Sequence, residues 1–478
     1  MHKTLRLAVV LASLTALSAC ATATPKPVTK AASKPLPLGS DAKAGPAPFA
    51  STYKPLPSRL TAIVGAHILT ATGEEIVGGT LVMDGGKIVG LGKDMTVPSG
   101  AQIIDAKGQW LTPGIIDSHS HLGVFASPDV RAHSDGNEAT DPNTAYVWSE
   151  HSVWPQDPGF NRARAGGVTT LQILPGSANL FGGRSVTLKN IPSISAQGMK
   201  FPDAPYGLKM ACGENPKRVY GQKGRSPSTR MGNVAGYRSA WIAAASYKRK
   251  WEDYRAKVAK GEKADPPERN LTLDTLSGVL AGEILVQNHC YRADEMVTMI
   301  DVAKEFGYKI SMFHHSSEAY KVADLLARDG ICYATWAEWA GFKLESYDGI
   351  AENAAIGQRK GACVVIHSDD PIMTQHLNQE AAIAMAAGNR LGLKITPAEA
   401  ISWITANPAK AMGIGDKTGS LVVGKNADLV LWSGDPFSVY STASQVFIDG
   451  AKVYDRKDPR FQAQSDFELG QPGEGVHP

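Results

Sequence analysis

An excess of charge of one sign is missing from this chain. Lysine and arginine together number 49 against 46 acidic residues, a formal net charge of +3 over 478 residues. So even a balance argues against nucleic acid or an acidic polymer as partner. Cysteine is scarce as well, at five residues. Cys212, Cys290, Cys332 and Cys363 are scattered, each in or beside an apolar segment, and their spacing prescribes no pairing. Buried free thiols are the expectation for these four. The N-terminal apolar run, Leu7 to Leu17, is too short to serve as a stable bilayer anchor. What the chain does have is bulk. Its 43% hydrophobic residues can bury a large core, and its length suits an α/β barrel with a further small domain.

Lys3 and Arg6 precede the apolar run, and Leu17-Ser18-Ala19-Cys20 ends it. A charged start, a short apolar stretch and small residues describe a secretory signal. The ending resembles the lipobox of bacterial lipoproteins, in which the cysteine becomes the lipidated first residue, here Cys20. Ordinary cleavage after Ala21 or Ala23 is the alternative. Ala21 stands where an inner-membrane retention signal would need Asp. The expected location is therefore the periplasmic side of an outer membrane, or otherwise the periplasm or medium. A membrane enters only through that anchor. Residues 21–57 are rich in Pro, Ala, Lys and Ser and read as a disordered tether.

From 58 to 112 the chain reads as short strands with tight turns, with Asp84-Gly85-Gly86 as a hairpin signal. Similar patterns return over 412–460, before a polar tail, 461–478. The two segments predict one small β-sandwich domain built from both ends of the chain. Between them, over 113–411, apolar strand-like runs alternate with helical patterns. Repeated strand–helix units predict a parallel sheet closed into an eight-stranded (β/α) barrel, with an insertion over about 215–276.

The strongest local signal is Pro113-Gly114-Ile115-Ile116-Asp117-Ser118-His119-Ser120-His121. Two histidines at i and i+2 on a strand point the same way, so His119 and His121 can reach one metal. His289, His315 and Asp369 each follow an apolar run, where a barrel strand meets its catalytic-face loop. His314 competes with His315, because neighbouring residues on a persisting strand face opposite ways. Arg184 ends a Gly-rich stretch that reads as a loop and is a candidate for holding a substrate carboxylate. Tyr291 and Arg292, just after His289, are candidates for substrate contact. Trp336 and Trp339 read as packing residues.

These segments resemble the amidohydrolase superfamily, and within it the imidazolonepropionase-related and exported branch. The likeness runs from about Ser58 to Asp458. It rests on Leu111-Thr112-Pro113-Gly114 to His121, His289 to Asp294, His315-Ser316-Ser317-Glu318, and His367-Ser368-Asp369-Asp370-Pro371. Asn407-Pro408-Ala409-Lys410-Ala411 and Gly424-Lys425-Asn426-Ala427-Asp428-Leu429 complete it. The resemblance implies that His119, His121, His289, His315 and Asp369 ligate metal and that Asp369 also moves the proton. It favours His315 over His314, because Glu318 follows at the family's spacing. Many members bridge two metals with a carbamylated Lys or a Glu from the fourth strand. Glu214 is the candidate here, with Lys217 in reserve. Imidazolonepropionase-like members lack the bridge, so one or two ions stay open.

The implied activity is hydrolysis of an amide or other C–N bond in a dipeptide, cyclic amide or N-acyl compound. Zn²⁺ or a similar divalent ion would provide a hydroxide to attack the carbonyl. A ring deaminase is the second reading, and an exported binding protein that lost activity is the third. A small-molecule substrate is the expected partner; homo-oligomerisation is left open.

Overall fold

The computed structural model describes residues 49–461. The Cys20 lipidation candidate, most of the tether and all but the first residue of the polar tail lie outside the described residues.

β1 (Thr61–Leu69), β2 (Glu75–Asp84), β3 (Lys87–Gly92), β4 (Gln102–Asp105) and β5 (Trp110–Pro113) open the described chain. The Asp84–Lys87 turn has Gly85 and Gly86 at φ +53° and +81°. Two successive positive φ values define the hairpin turn whose twist matches its strands, and glycine adopts them without strain. The chain then enters the barrel at Gly114, where a Cβ would fall 2.1 Å from Thr169 Oγ1. Only glycine fits that approach.

The barrel strands are β6 (Ile115–Ser120), β7 (Val168–Ile173), β8 (Phe181–Lys189), β9 (Gly207–Ala211), β10 (Leu285–His289), β11 (Ile310–His314), β12 (Cys332–Thr335) and β13 (Cys363–Ile366). They form one eight-stranded sheet in sequence order. The returning segment supplies β14 (Leu429–Trp432), β15 (Ala443–Ile448) and β16 (Ala451–Asp455), and β14 pairs with β5. Both ends of the chain therefore build the second sheet. It has its own apolar core, including Ile63, Leu81, Leu111 and Leu429.

Three observations correct the sequence reading. First, β8 runs antiparallel to both β7 and β9. Only seven residues, 174–180, separate it from β7. That is too short for a parallel crossover, so a hairpin forms instead. Second, Arg184 lies within β8 and not in a loop. Third, the four described cysteines are not free thiols. Cys212 bonds Cys290 and Cys332 bonds Cys363. Parallel register explains both pairs. Ala211 faces His289, so the next residues meet across β9 and β10, and Cys332 faces Cys363 directly.

Three helices lie between β9 and β10, at Glu214–Gly221, Arg230–Ala259 and Leu271–Leu280. The second starts where the Thr229 side chain accepts the Gly232 N–H. It buries Tyr237, Trp241, Ala244, Tyr247 and Trp251, a stripe at helical spacing. The seam between β13 and β6 closes through the loop after β13. Asp369 N–H donates to His119 O at 3.0 Å, and Ser368 Oγ donates to Asp117 Oδ2 at 2.5 Å.

Candidate metal centre

His119 and His121 stand two residues apart at the end of β6, so both rings turn to the same side. Their Nε2 atoms lie 3.3 and 3.1 Å from one oxygen, Asp369 Oδ1. His121 Nδ1 is 2.8 Å from the Leu174 carbonyl. A carbonyl only accepts, so Nδ1 carries the proton and Nε2 keeps its lone pair for the centre. Across the barrel mouth, the His289 and His315 ring centroids are 4.8 Å apart. His315 Nδ1 is 3.8 Å from Asp369 Oδ2.

Backbone shape removes the alternation that set His314 against His315. β11 ends at His314, and His315 then adopts φ +59°. Strand alternation stops there, so both rings point inward. Asp369 has a similar conformation, φ +61°. Positive φ is uncommon for a side-chain-bearing residue and is held here by the surrounding contacts.

Glu214 is not brought to the centre, which corrects the fourth-strand expectation. β9 ends at Ala211, Gly213 turns the chain at φ +77°, and Glu214 begins a helix. Its Oε1 pairs with Lys343 Nζ at 3.3 Å, and Lys217 lies further along that helix. The β9 residue at the centre is Lys209, fully buried, with Nζ 3.1 Å from His119 Nε2. Burial pulls its ammonium down to about 7, against the opposing pull of Asp369. A lone lysine between Leu208 and Met210 on an apolar strand was the sequence signal for it. His367 was also passed over. Its Nε2 accepts the His315 N–H at 3.1 Å, and burial lowers it to about 4.

Arg184 points away from the centre. Its Nε donates to Thr275 Oγ1 at 2.7 Å, and its guanidinium lies 4.2 Å from the Trp148 ring centre. Burial pulls it down to about 10. Arg292 pairs with Asp294 at 2.9 Å. Tyr291 does line the mouth, and it stacks on His315 with a centroid separation of 5.6 Å. Trp336 stacks on His315 and meets His367 edge-on, each at a centroid separation of 4.7 Å. Trp339 and Phe342 continue this aromatic wall outward, and Phe342 is 55% exposed.

The donor set fits a divalent ion. Burial holds His119, His289 and His315 well below the usual imidazole range, so their rings are neutral. Both ring nitrogens of His289 and Nδ1 of His315 are buried without a hydrogen-bond partner. Such orphaned groups are costly unless something coordinates them. Two ligand atoms on one tetrahedral zinc, each about 2.0–2.1 Å from it, lie about 3.3–3.4 Å apart. The 3.1 and 3.3 Å separations around Asp369 Oδ1 approach that span. His119, His315 and Asp369 form one ligand group by proximity.

Barrel and donor set together place a cluster of imidazoles and one carboxylate that could hold a divalent ion at the mouth of an α/β barrel. Comparison with known proteins gives the family. The Amidohydrolase family pattern matches residues 244–464. An amidohydrolase structure from Thermotoga maritima MSB8 superposes with a TM-score of 0.75 at 35% identity, covering 83% of this chain and 100% of that one. Amidohydrolase tasK of Hapsidospora irregularis is 35% identical over 376 residues, which are 75% of this chain and 38% of tasK. The chain thus spans well under half of that relative's length. Imidazolonepropionase of Mesorhizobium japonicum is 24% identical, over 74% of this chain and 86% of its own. The chain belongs to the amidohydrolase superfamily, enzymes that hydrolyse C–N bonds.

Proposed function

We propose that this protein hydrolyses an amide or similar C–N bond in a small molecule such as a dipeptide, a cyclic amide or an N-acyl compound. The observation that carries this is the convergence of His119 and His121 on Asp369, beside buried imidazole nitrogens that have no other partner. His119, His121, His315 and Asp369 would hold an ion, with His289 beside them as a donor to the same ion or to a second one. A bound divalent ion supplies a water acidified to a pKa of about 7. Asp369 is the proton carrier: its carboxylate takes the proton from the attacking water and returns it to the leaving nitrogen. Its side chain is 24% exposed, so it faces both the centre and an arriving substrate.

Lys209 is the residue suited to the bridging role that the family resemblance suggests. An amine near 7 is about half neutral at neutral pH, and its neutral form can react with carbon dioxide to form a carbamate. The aromatic wall of Tyr291, Trp336, Trp339 and Phe342 supports substrates with an apolar group beside the scissile bond. Export belongs to the same reading. Two disulfides favour an oxidising compartment, and lipidation at Cys20 is tested by labelled fatty acid in the wild type and in Cys20→Ser.

Purified protein should be screened against dipeptide and cyclic-amide libraries, with and without a strong chelator. Chelation is expected to abolish turnover and Zn²⁺ or Mn²⁺ to restore it. Undiminished turnover in metal-free protein overturns the proposal. Release of ammonia as the only nitrogen product would favour the deaminase reading.

A further inference from the structure

We infer that Gln287 and His314 form a positioning pair that decides which nitrogen of His119 faces the metal. A ligating imidazole needs a bare lone pair on the nitrogen that meets the ion, and for His119 that nitrogen is Nε2. Its Nδ1 must then carry the proton and give it to an acceptor. For His121 a backbone carbonyl is that acceptor. His119 has no carbonyl in this role; its Nδ1 lies 2.8 Å from another imidazole nitrogen, His314 Nδ1. Two such nitrogens do not by themselves settle which is donor.

The far end of the chain of hydrogen bonds settles it. Gln287 Nε2 is 3.4 Å from the carbonyl of Ala411, which also receives Ser311 Oγ at 2.5 Å. A carbonyl only accepts, so the Gln287 amide nitrogen points toward it and Oε1 points the other way. Oε1 lies 2.8 Å from His314 Nε2. An amide oxygen only accepts, so His314 Nε2 carries a proton. The His314 ring is fully buried and its two nitrogens meet only His119 and Gln287, with no carboxylate to hold a second proton, so it carries one proton in all. Its Nδ1 is therefore bare and accepts from His119 Nδ1–H. His119 Nε2 is left with its lone pair, facing Asp369 at 3.3 Å and Lys209 at 3.1 Å.

The same chain gives His314 its role. Both of its nitrogens are engaged, and 2.8 Å is shorter than the about 3.3–3.4 Å between two ligands of one tetrahedral ion. His314 is thus a positioning residue and not a ligand. Gln287, His314 and His119 are all fully buried, so water cannot supply a competing partner.

This inference rests on the metal-centre reading, and its test separates the two. The full chain is labelled with ¹⁵N-histidine, and ring tautomers are read by NMR in metal-free protein at neutral pH. His119→Gln identifies the His119 signals. The wild type is expected to hold His119 as the Nδ1–H tautomer. Zinc affinity is then measured by competition with a chelator. Gln287→Leu is expected to bind zinc about 10–100-fold more weakly. Gln287→Glu keeps an acceptor at the same place and is expected to stay close to wild type. An Nε2–H tautomer for His119 in the wild type overturns the inference, as does Gln287→Leu that folds and binds zinc with wild-type affinity. If Gln287→Leu does not fold, the wild-type tautomer still decides. If the wild type binds no zinc, the functional reading falls while the tautomer result still judges the pair.

Discussion

His119 near the end of β6, and His121 one residue past it, reach the centre because period-two alternation turns both side chains to the same face. Opposite them, His315 and Asp369 reach it only because the backbone leaves the strand. Both take left-handed conformations, at φ +59° and +61°. The first side has no left-handed residue at His119 or His121, although the β6–β7 register shifts between Asp117 and Ser120. The second depends on outside restraints: His315 N–H is fixed by His367 and Asp369 N–H by the His119 carbonyl. Local alternation thus builds one half of the centre and tertiary contacts the other. The left-handed half also carries the residue assigned to proton transfer, where small displacements matter most.

Asp369→Asn gives the largest effect. The amide oxygen can still coordinate weakly but cannot take a proton at neutral pH. The expected loss is on the order of 10²–10⁴ in kcat, with the fold intact. Metal content measured on the same sample separates a lost base from a lost ligand. A variant that keeps metal and near-normal turnover would move the base elsewhere, with His367 next in position.

Asp117→Asn comes second and breaks the link between the two halves. The Asp117 carboxylate accepts from Ser368 Oγ, Thr374 Oγ1 at 3.0 Å, His119 N–H at 3.2 Å and Ser368 N–H at 3.3 Å. An amide presents one acceptor oxygen and two donors into this group of donors. The expected cost is about 1–3 kcal/mol of stability, the penalty for leaving buried polar groups unsatisfied. Denaturant melts measure it. Turnover should fall as well, because Ser368 precedes Asp369. A variant as stable and active as wild type would mean that the halves are held together elsewhere.

The same contrast explains what was legible in the sequence. Period-two alternation exposed His119 and His121, and the ends of apolar runs pointed to His289, His315 and Asp369. The two-ended β domain and the barrel followed from turn and strand patterns. The antiparallel β8 is hidden in the sequence because its first residues, Phe181-Gly182-Gly183-Arg184, read as a Gly-rich loop and not as a strand. Glu214 stands out in the sequence because it ends its run, with Lys217 just beyond, whereas Lys209 sits inside the run and reaches the centre on a long side chain. The disulfides depended on cross-strand register, which residue spacing does not carry. His314 and His315 could not be separated without knowing that the strand stops between them.

The smallest effect tests the comparison most directly. In the left-handed region a Cβ costs roughly 1–2 kcal/mol, a penalty glycine escapes. In a strand the order reverses, and glycine costs about 0.5–1 kcal/mol relative to alanine. Each ligand position is therefore replaced by alanine and by glycine, and stabilities are compared within the pair in metal-free protein. Both members lose the same side chain and all metal contacts, so the difference isolates the backbone. At His289, the last residue of β10, alanine should be the more stable. At His315 and Asp369 glycine should be, by about 1 kcal/mol. Alanine equal to or better than glycine at both 315 and 369 would show that these turns are not strained, and the two halves of the centre would differ in path but not in energy.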